Sequence, residues 1–339
     1  HSFPTRRSSD LLYQSKVLTD CYQYDRARKA LAFAEKGFAG AENADRLARV
    51  HIQLATLDLF ESRYGEAIAE AEKALDMLGQ QVVPERGHAQ RLVGRAYLGQ
   101  GRFAQGTAEL EQALALYREV GSPYDVVNVL QDLTLAFASR GRFDDAAFYL
   151  NEALPIARQL ESPALLAGVL NNLGMLHFER GDYDRALSLH QDGLVVARRS
   201  GDARNEAHLA DGMATIYRDA GVYQGAESLY DVAWRIARES RPDEAVEILA
   251  ARADMARWRG DPRRALALLE QAETISDEKG LDAARRGVLA LGKGIALAEL
   301  GETEAGLELL RHALDFLEQQ GAKRGLARGH FLLAKARLL

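Results

Sequence analysis

The chain has 339 residues, with 43 Lys and Arg against 49 Asp and Glu, a net charge of −6 and 47% hydrophobic residues. That balance lacks the concentrated positive charge that a nucleic-acid stripe or a membrane-surface helix needs, and no apolar run reaches the roughly 18 residues of a membrane span. One cysteine, Cys21, can form neither an internal disulfide nor a Cys-based zinc site, so a cytoplasmic location is expected. Only 7 prolines, with Ala, Leu, Glu and Arg in excess, predict a helical chain.

Residues 1–11, HSFPTRRSSDL, have no helical period and carry a proline, paired arginines and paired serines. They match one reading frame of a widely used sequencing adapter, so the segment is read as a translated artefact and set apart from the fold. A repeat array is expected over 12–339, truncated at both ends as a fragment of a larger gene product.

Eight registers follow in chain order. Tyr24, Tyr64, Phe103, Phe143, Tyr183 and Tyr223 recur at steps of 40, 39, 40, 40 and 40 residues, and Pro262 and Thr303 continue the series. Hinges are expected two residues earlier, near Tyr22, at Ser62, and at Gly101, Gly141, Gly181, Gly221, Gly260 and Gly301. Three residues after each marker stands a small residue: Ala27, Ala67, Gly106, Ala146, Ala186, Ala226, Ala265 and Gly306. Ten residues after it stands another: Ala34, Ala74, Ala113, Ala153, Gly193, Ala233, Ala272 and Ala313. Between them, at seven, sit Leu31, Ala71, Leu110, Leu150, His190, Tyr230, Leu269 and Leu310. Offsets of 3, 7 and 10 share one helix face, so each marker opens a helix B.

A helix A precedes each hinge from the second on. Its small position lies nine residues before the marker, at Ala55, Gly94, Thr134, Gly174, Ala214, Ala253 and Gly294. A bulky residue follows three later, at Tyr97, Phe137, His177, Tyr217 and Leu297, whereas Asp58 and Ala256 depart from the rule. Breaks at Gly40, Gly79, Gly121, Ser162, Gly201, Ser240, Gly280 and Gly321 separate the units. The expectation is one lone helix B, seven complete hairpins and a last helix A, with the small residues bringing paired helices to the close end of the usual range of about 8–10 Å. Pro155, inside the fourth helix B, removes a backbone donor and predicts a kink.

A small residue in helix A, an aromatic after the turn and alanines in helix B resemble the tetratricopeptide repeat (TPR), most closely in LNNLGMLHFERGDYDRALSLHQDGL, residues 170–194. The resemblance implies an all-α fold, a right-handed superhelix (α-solenoid) of about eight long helix-turn-helix units, with a period longer than the ordinary repeat of about 34 residues. Units such as LNNLGMLHFERGDYDRAL and intervals such as RQLESPALLAGVL look like the MalT-like TPR region of large bacterial transcriptional regulators of the LuxR and SARP types. That resemblance implies a region that binds an effector or a regulatory protein and controls domains outside this chain. The alternative is a free-standing cytoplasmic scaffold joining two proteins.

No phosphate-binding Gly-x4-Gly-Lys-Ser/Thr loop is present, and none of the 8 histidines pairs at i, i+4 to place two metal ligands on one helix face. No catalytic, metal or cofactor site is therefore assigned. His177 and His190 occupy bulky core positions and are read as packed side chains. The working surface of a TPR array is the helix A face, and counting back 15, 12, 8 and 5 residues from each marker selects its polar lining. These residues are His88, Arg91 and Arg95, then Asn128 and Gln131, Asn171, then His208, Asp211, Thr215 and Arg218, and finally Asp254 and Arg257. Asn and Gln can hydrogen-bond an extended backbone whatever its sequence, and Arg offers a fork to carboxylates. The expected partner is a peptide or protein segment, acidic near Arg91 and Arg95, or a small effector, with no nucleic-acid or membrane contact. Asp211 stands where the carboxylate clamp of some TPR proteins wants positive charge, so that clamp is not assigned.

Overall fold

The computed structural model describes residues 3–20, 23–38, 43–279, 283–319 and 323–338; Cys21, Tyr22, Gly40, Gly280 and Gly321 lie outside the described residues. Among the described residues every element is helical. In chain order they are α1 (Phe3–Asp20), α2 (Tyr24–Phe38), α3 (Ala44–Phe60), α4 (Tyr64–Leu78), α5 (Pro84–Gly99), α6 (Phe103–Val120), α7 (Pro123–Ala138), α8 (Phe143–Gln159) and α9 (Pro163–Glu179). There follow α10 (Tyr183–Ser200), α11 (Ala203–Asp219), α12 (Tyr223–Ser240), α13 (Pro242–Trp258), α14 (Pro262–Lys279), α15 (Ala283–Glu299), α16 (Thr303–Gln319) and α17 (Lys323–Ala336).

The helices fall into two compact units, 1–180 and 181–339. In the first, the hairpins α1/α2, α3/α4, α5/α6 and α7/α8 pack in succession and α9 rests on α7 and α8. In the second, α10 packs on α11, the hairpins α11/α12, α13/α14 and α15/α16 follow, and α17 rests on α15 and α16. Each hairpin also packs on the helix that follows it within its unit, so each repeat completes its core with its neighbour, as repeat proteins do.

All eight markers, from Tyr24 to Thr303, open a helix B. The positions 3, 7 and 10 residues after them are buried in every unit, as is the small position of helix A. The hinge between the two helices repeats in detail. In α5 the carbonyl of Tyr97 accepts a hydrogen bond from the backbone N–H of Arg102 at 2.8 Å, and the carbonyl of Arg102 then accepts from Gly106 at 2.9 Å to start α6. Phe137 with Arg142, Tyr217 with Val222, Ala256 with Asp261 and Leu297 with Glu302 make the same six-residue closure at 2.8–3.0 Å. This closure caps the last carbonyls of helix A and needs a left-handed residue between the partners. Glycine supplies it, with φ from 72° at Gly141 to 92° at Gly301; in the second unit Ser62 takes φ 57° and bears the cost of a side chain there, about 1–2 kcal/mol.

Asp58, which breaks the aromatic rule, belongs to the same hinge. Its carboxylate is buried and receives Arg28 at 2.8 Å and Arg63 at 2.7 Å, so an ion-paired cluster fills the place of a ring. Burial raises its pKa to about 6 against the pull of Arg28. At two of the rings an arginine just before the next helix covers the face: Arg102 lies 4.2 Å from the centre of Tyr97 and Arg142 4.6 Å from Phe137. Part of the excess of Arg over Lys is thereby explained, because a planar guanidinium stacks on a ring and an ammonium does not.

Three expectations need correction or sharpening. First, α2 is not alone: α1 forms its helix A, and Leu11, Leu12 and Leu18 pack around Ala27, Leu31 and Phe38. The helix runs through the 11/12 boundary, because Pro4 falls in its first turn, where a missing N–H costs nothing, and no glycine interrupts 3–20. Second, the break at Ser162 does fall between α8 and α9, but its left-handed residue is Glu161 at φ 49°, and Ser162 takes the N-cap position of α9 without a side-chain cap hydrogen bond. Third, Ser240 is still in α12, and the break falls on Arg241 at φ −142°, forced by Pro242 at the start of α13. Five of the prolines each open a helix in this way, while α8 continues through Pro155.

Candidate functional site

Of the polar residues chosen from the sequence, all of them on A helices, Arg95 is exposed, Arg257 is buried and the others are half-buried. In the first unit, Arg91 of α5 is already committed: its Nε donates to the carboxylate of Asp132 on α7. Arg95 approaches the other oxygen of Asp132 only to 4.0 Å and is 45% exposed. His88 is half-buried beside Arg91, and desolvation together with Arg91 pushes its pKa down to about 4. Asn128 is half-buried on α7, and Gln131 accepts a hydrogen bond from Asn172 of α9 at 3.1 Å. Asn171 is half-buried, with its Oδ1 withdrawn from solvent and unpaired among the described residues.

A cleft of about 420 Å³ opens where α3, α5 and α7 end, bounded by Leu59, Arg95, Leu98, Phe103, Leu135 and Arg140, with Asp132 beside them. The offsets used on the sequence missed most of this site. Leu135 and Met175 occupy the offset-eight position of α7 and α9, yet were passed over as apolar, although they are 70% and 42% exposed. Arg140, three residues before its marker, fell outside the offsets. A large apolar residue at a position that is otherwise polar was the available signal.

In the second unit the chosen residues divide differently. His208 of α11 lies 3.3 Å from Glu244 and 3.2 Å from Arg241, and desolvation with Arg241 pushes its pKa down to about 4. Asp211 is raised to about 6 by burial and by Glu247, against Arg218. His208, Asp211, Asp243, Glu244 and Glu247 line an acidic cavity of about 180 Å³. Thr215 lies 3.3 Å from the hydroxyl of Tyr230, and Arg218 bonds Asp219 at 2.8 Å while lying 5.0 Å from the ring centre of Trp258. Asp254 binds Arg257 at 3.2 Å and also Arg328. Arg257 itself is buried and grips Glu299 of α15 with two hydrogen bonds of 2.9 Å. Arg91, Gln131 and Arg257 therefore tie one helix A to the next, whereas Arg95 reaches a carboxylate only at 4.0 Å and Arg140 meets none among the described residues.

Among the described residues no group of three or more His, Cys, Asp or Glu could hold a metal, and no helix is long and apolar enough to cross a membrane. His190, read as a packed side chain, is fully buried in α10, with its ring against Gly212 and both ring nitrogens unpaired among the described residues. Burial pushes its pKa down to about 4. Replacing it by leucine removes two unsatisfied polar atoms and is expected to stabilise the fold by about 1–3 kcal/mol. The unfolded chain takes up the imidazole proton below about pH 6.5, whereas the folded chain resists it down to about 4. The gain of His190→Leu over the parent is therefore constant above about 6.5 and widens as the pH falls towards 4. Urea titrations of both proteins across this range measure it, and a gap that stays flat to pH 4 contradicts a buried neutral ring.

The comparisons agree with this architecture. The MalT-like TPR region matches residues 48–199, and a second tetratricopeptide-repeat model matches 165–239. The comparison with curated proteins gives no match. Among solved structures, the apo form of RapI has a TM-score of 0.62 at 15% identity, covering 97% of this chain and 97% of that one. Aspartyl phosphate phosphatase F from Bacillus subtilis has 0.65 at 13% identity, covering 81% of this chain and 72% of that one. A Rap protein complexed with competence and sporulation factor has 0.59 at 14% identity, covering 98% of each. At these identities the likeness is one of fold. The chain is a tetratricopeptide-repeat protein, similar over residues 48–199 to the MalT-like TPR region.

Proposed function

We propose that this chain is a cytoplasmic binding module for a peptide or protein segment, acting as the sensor or partner-binding region of a bacterial signal-transduction or transcriptional regulator. The reading rests first on the match to the MalT-like TPR region. The uncovered A-helix faces support it, because they hold hydrogen-bonding groups without a protein partner, such as Oδ1 of Asn171, and exposed apolar side chains, such as Leu135 and Met175. A fold neighbour was solved with competence and sporulation factor bound, which is in keeping with capture of a partner on this scaffold. Binding, not turnover, is the proposed work, and Arg91, Gln131 and Arg257 of these faces serve as ties between helices.

Two measurements test the reading. Affinity capture from the source cell with the chain, compared with Asn128→Ala/Asn171→Ala, is expected to retain a partner that the double variant loses while keeping its melting temperature. Sequencing outward from the gene is expected to reveal a nucleotide-hydrolysing or DNA-binding domain. A complete gene with neither removes the regulator, and capture that ignores both asparagines removes the face.

A further inference from the structure

We propose that the cleft at the ends of α3, α5 and α7 is a specific anchor for an acidic segment, taking a large apolar side chain against Leu59, Leu98, Phe103 and Leu135 and a neighbouring carboxylate on Arg95 and Arg140. This rests on the peptide-binding reading and gives the partner its chemistry. The cleft, about 420 Å³, is at the small end of the usual range of about 300–1,000 Å³ for ligand sites, room for a side chain and its backbone and not for a folded surface. Its walls are mostly aliphatic and aromatic, and Leu135, 70% exposed at its mouth, is apolar area that an occupant removes from water.

Charge selects the occupant. The one carboxylate in the lining, Asp132, is taken by Arg91, and Arg95 stands 4.0 Å from it. The guanidinium of Arg140 lies 4.8 Å from the centre of the Phe103 ring, which orients the fork, and among the described residues it meets no carboxylate. The carbonyls at the ends of α5 and α7 offer little competition, because Tyr97 and Phe137 are capped by the N–H groups of Arg102 and Arg142. Three guanidinium groups against one carboxylate give the cleft a positive surplus beside an apolar wall. A lysine-bearing segment would meet that surplus unfavourably, and a nucleic-acid phosphate would leave Leu135 uncovered.

The test measures fluorescence anisotropy of three labelled probes with the full chain: the end-capped peptide Gly-Glu-Leu-Phe-Glu-Gly, the same peptide with both Glu replaced by Lys, and a thymidine hexanucleotide. The Glu peptide is expected to bind at least about ten-fold tighter than either other probe, and Arg140→Gln and Leu135→Gln are each expected to weaken it about ten-fold. Both side chains are exposed, so the variants should melt like the parent, and Arg311→Gln, at an exposed position of α16 in the second unit, should leave the affinity unchanged. Equal or tighter binding of the Lys peptide, preference for the oligonucleotide, failure of the Glu peptide to bind, or insensitivity to both cleft variants overturns the proposal. If the proposal falls while capture through Asn128 and Asn171 survives, the binding module stands with a different anchor; if that capture fails as well, the module reading falls with it.

Discussion

Gly306→Ala is expected to destabilise the second unit by about 1–3 kcal/mol, although it adds a single methyl to a helix and raises helix propensity. A Cβ at Gly306 would lie 2.5 Å from the carbonyl oxygen of Gly294 and 2.9 Å from the backbone nitrogen of Ala298. Neither atom is the end of a flexible side chain that can swing aside, so α15 and α16 must separate. Separation loosens the core that Leu291, Ile295 and Ala298 make with Leu310, Ala313 and Leu317. Gly65→Ala is the matched control: nothing lies within 4 Å of a Cβ at Gly65 in α4, and the substitution should be neutral or stabilising by up to about 1 kcal/mol. Urea melts measure the two signs, and hydrogen exchange locates them. Protection in α15–α17 should fall in Gly306→Ala while α5 and α6 keep theirs, since repeats couple chiefly to their neighbours. Equal stability of parent and Gly306→Ala contradicts the close approach.

The same arithmetic explains how much of this protein was legible in its sequence. Helix B starts could be placed to the residue because three constraints coincide there: a left-handed residue, a hinge closure six residues long and a small residue that must face helix A. The breaks between units were less legible, since Glu161 and Arg241 turn the chain without a glycine and the proline that follows each of these breaks carries the signal. The hairpin partner of α2 was missed because 3–11 lack an apolar stripe of their own. The site was legible only as a face. Offsets show which residues a helix presents, but whether Arg91 is free or held by Asp132 depends on a residue 41 positions later, in the next helix A. The preference for polar candidates hid Leu135 and Met175, the exposed apolar residues that make a docking surface unlike an ordinary hydrated one.

Arg257→Met separates the two roles that an A-helix arginine can have. As a member of the binding face it would affect only ligand affinity; the structure gives it a larger duty. Its side chain is 3% exposed, with Glu299 held through both oxygens at 2.9 Å and Asp254 at 3.2 Å. Methionine fills the volume but leaves two carboxylates facing a place from which positive charge has gone. Removing one partner of a buried pair costs about 3–5 kcal/mol; Lys335, 3.0 Å from Glu299, and Arg328 on Asp254 put the expected loss near the lower figure. Burial works to raise the pKa of Glu299, but hydrogen bonds from Arg257 and Lys335 outweigh it and hold the group below its ordinary value. A carboxylate depressed in the folded state stabilises it above the unfolded pKa, about 4.3, and loses that contribution as pH falls through the folded value. The deficit of Arg257→Met should therefore be full at neutral pH and shrink below about 4.3. Adding Glu299→Leu removes the stranded charge along with its partner, and the double variant should recover much of the loss, the coupling expected of a buried ion pair. A single variant with parental stability at pH 7, or a double variant no better than the single, would show that the link between α13 and α15 is not what holds Arg257 in place.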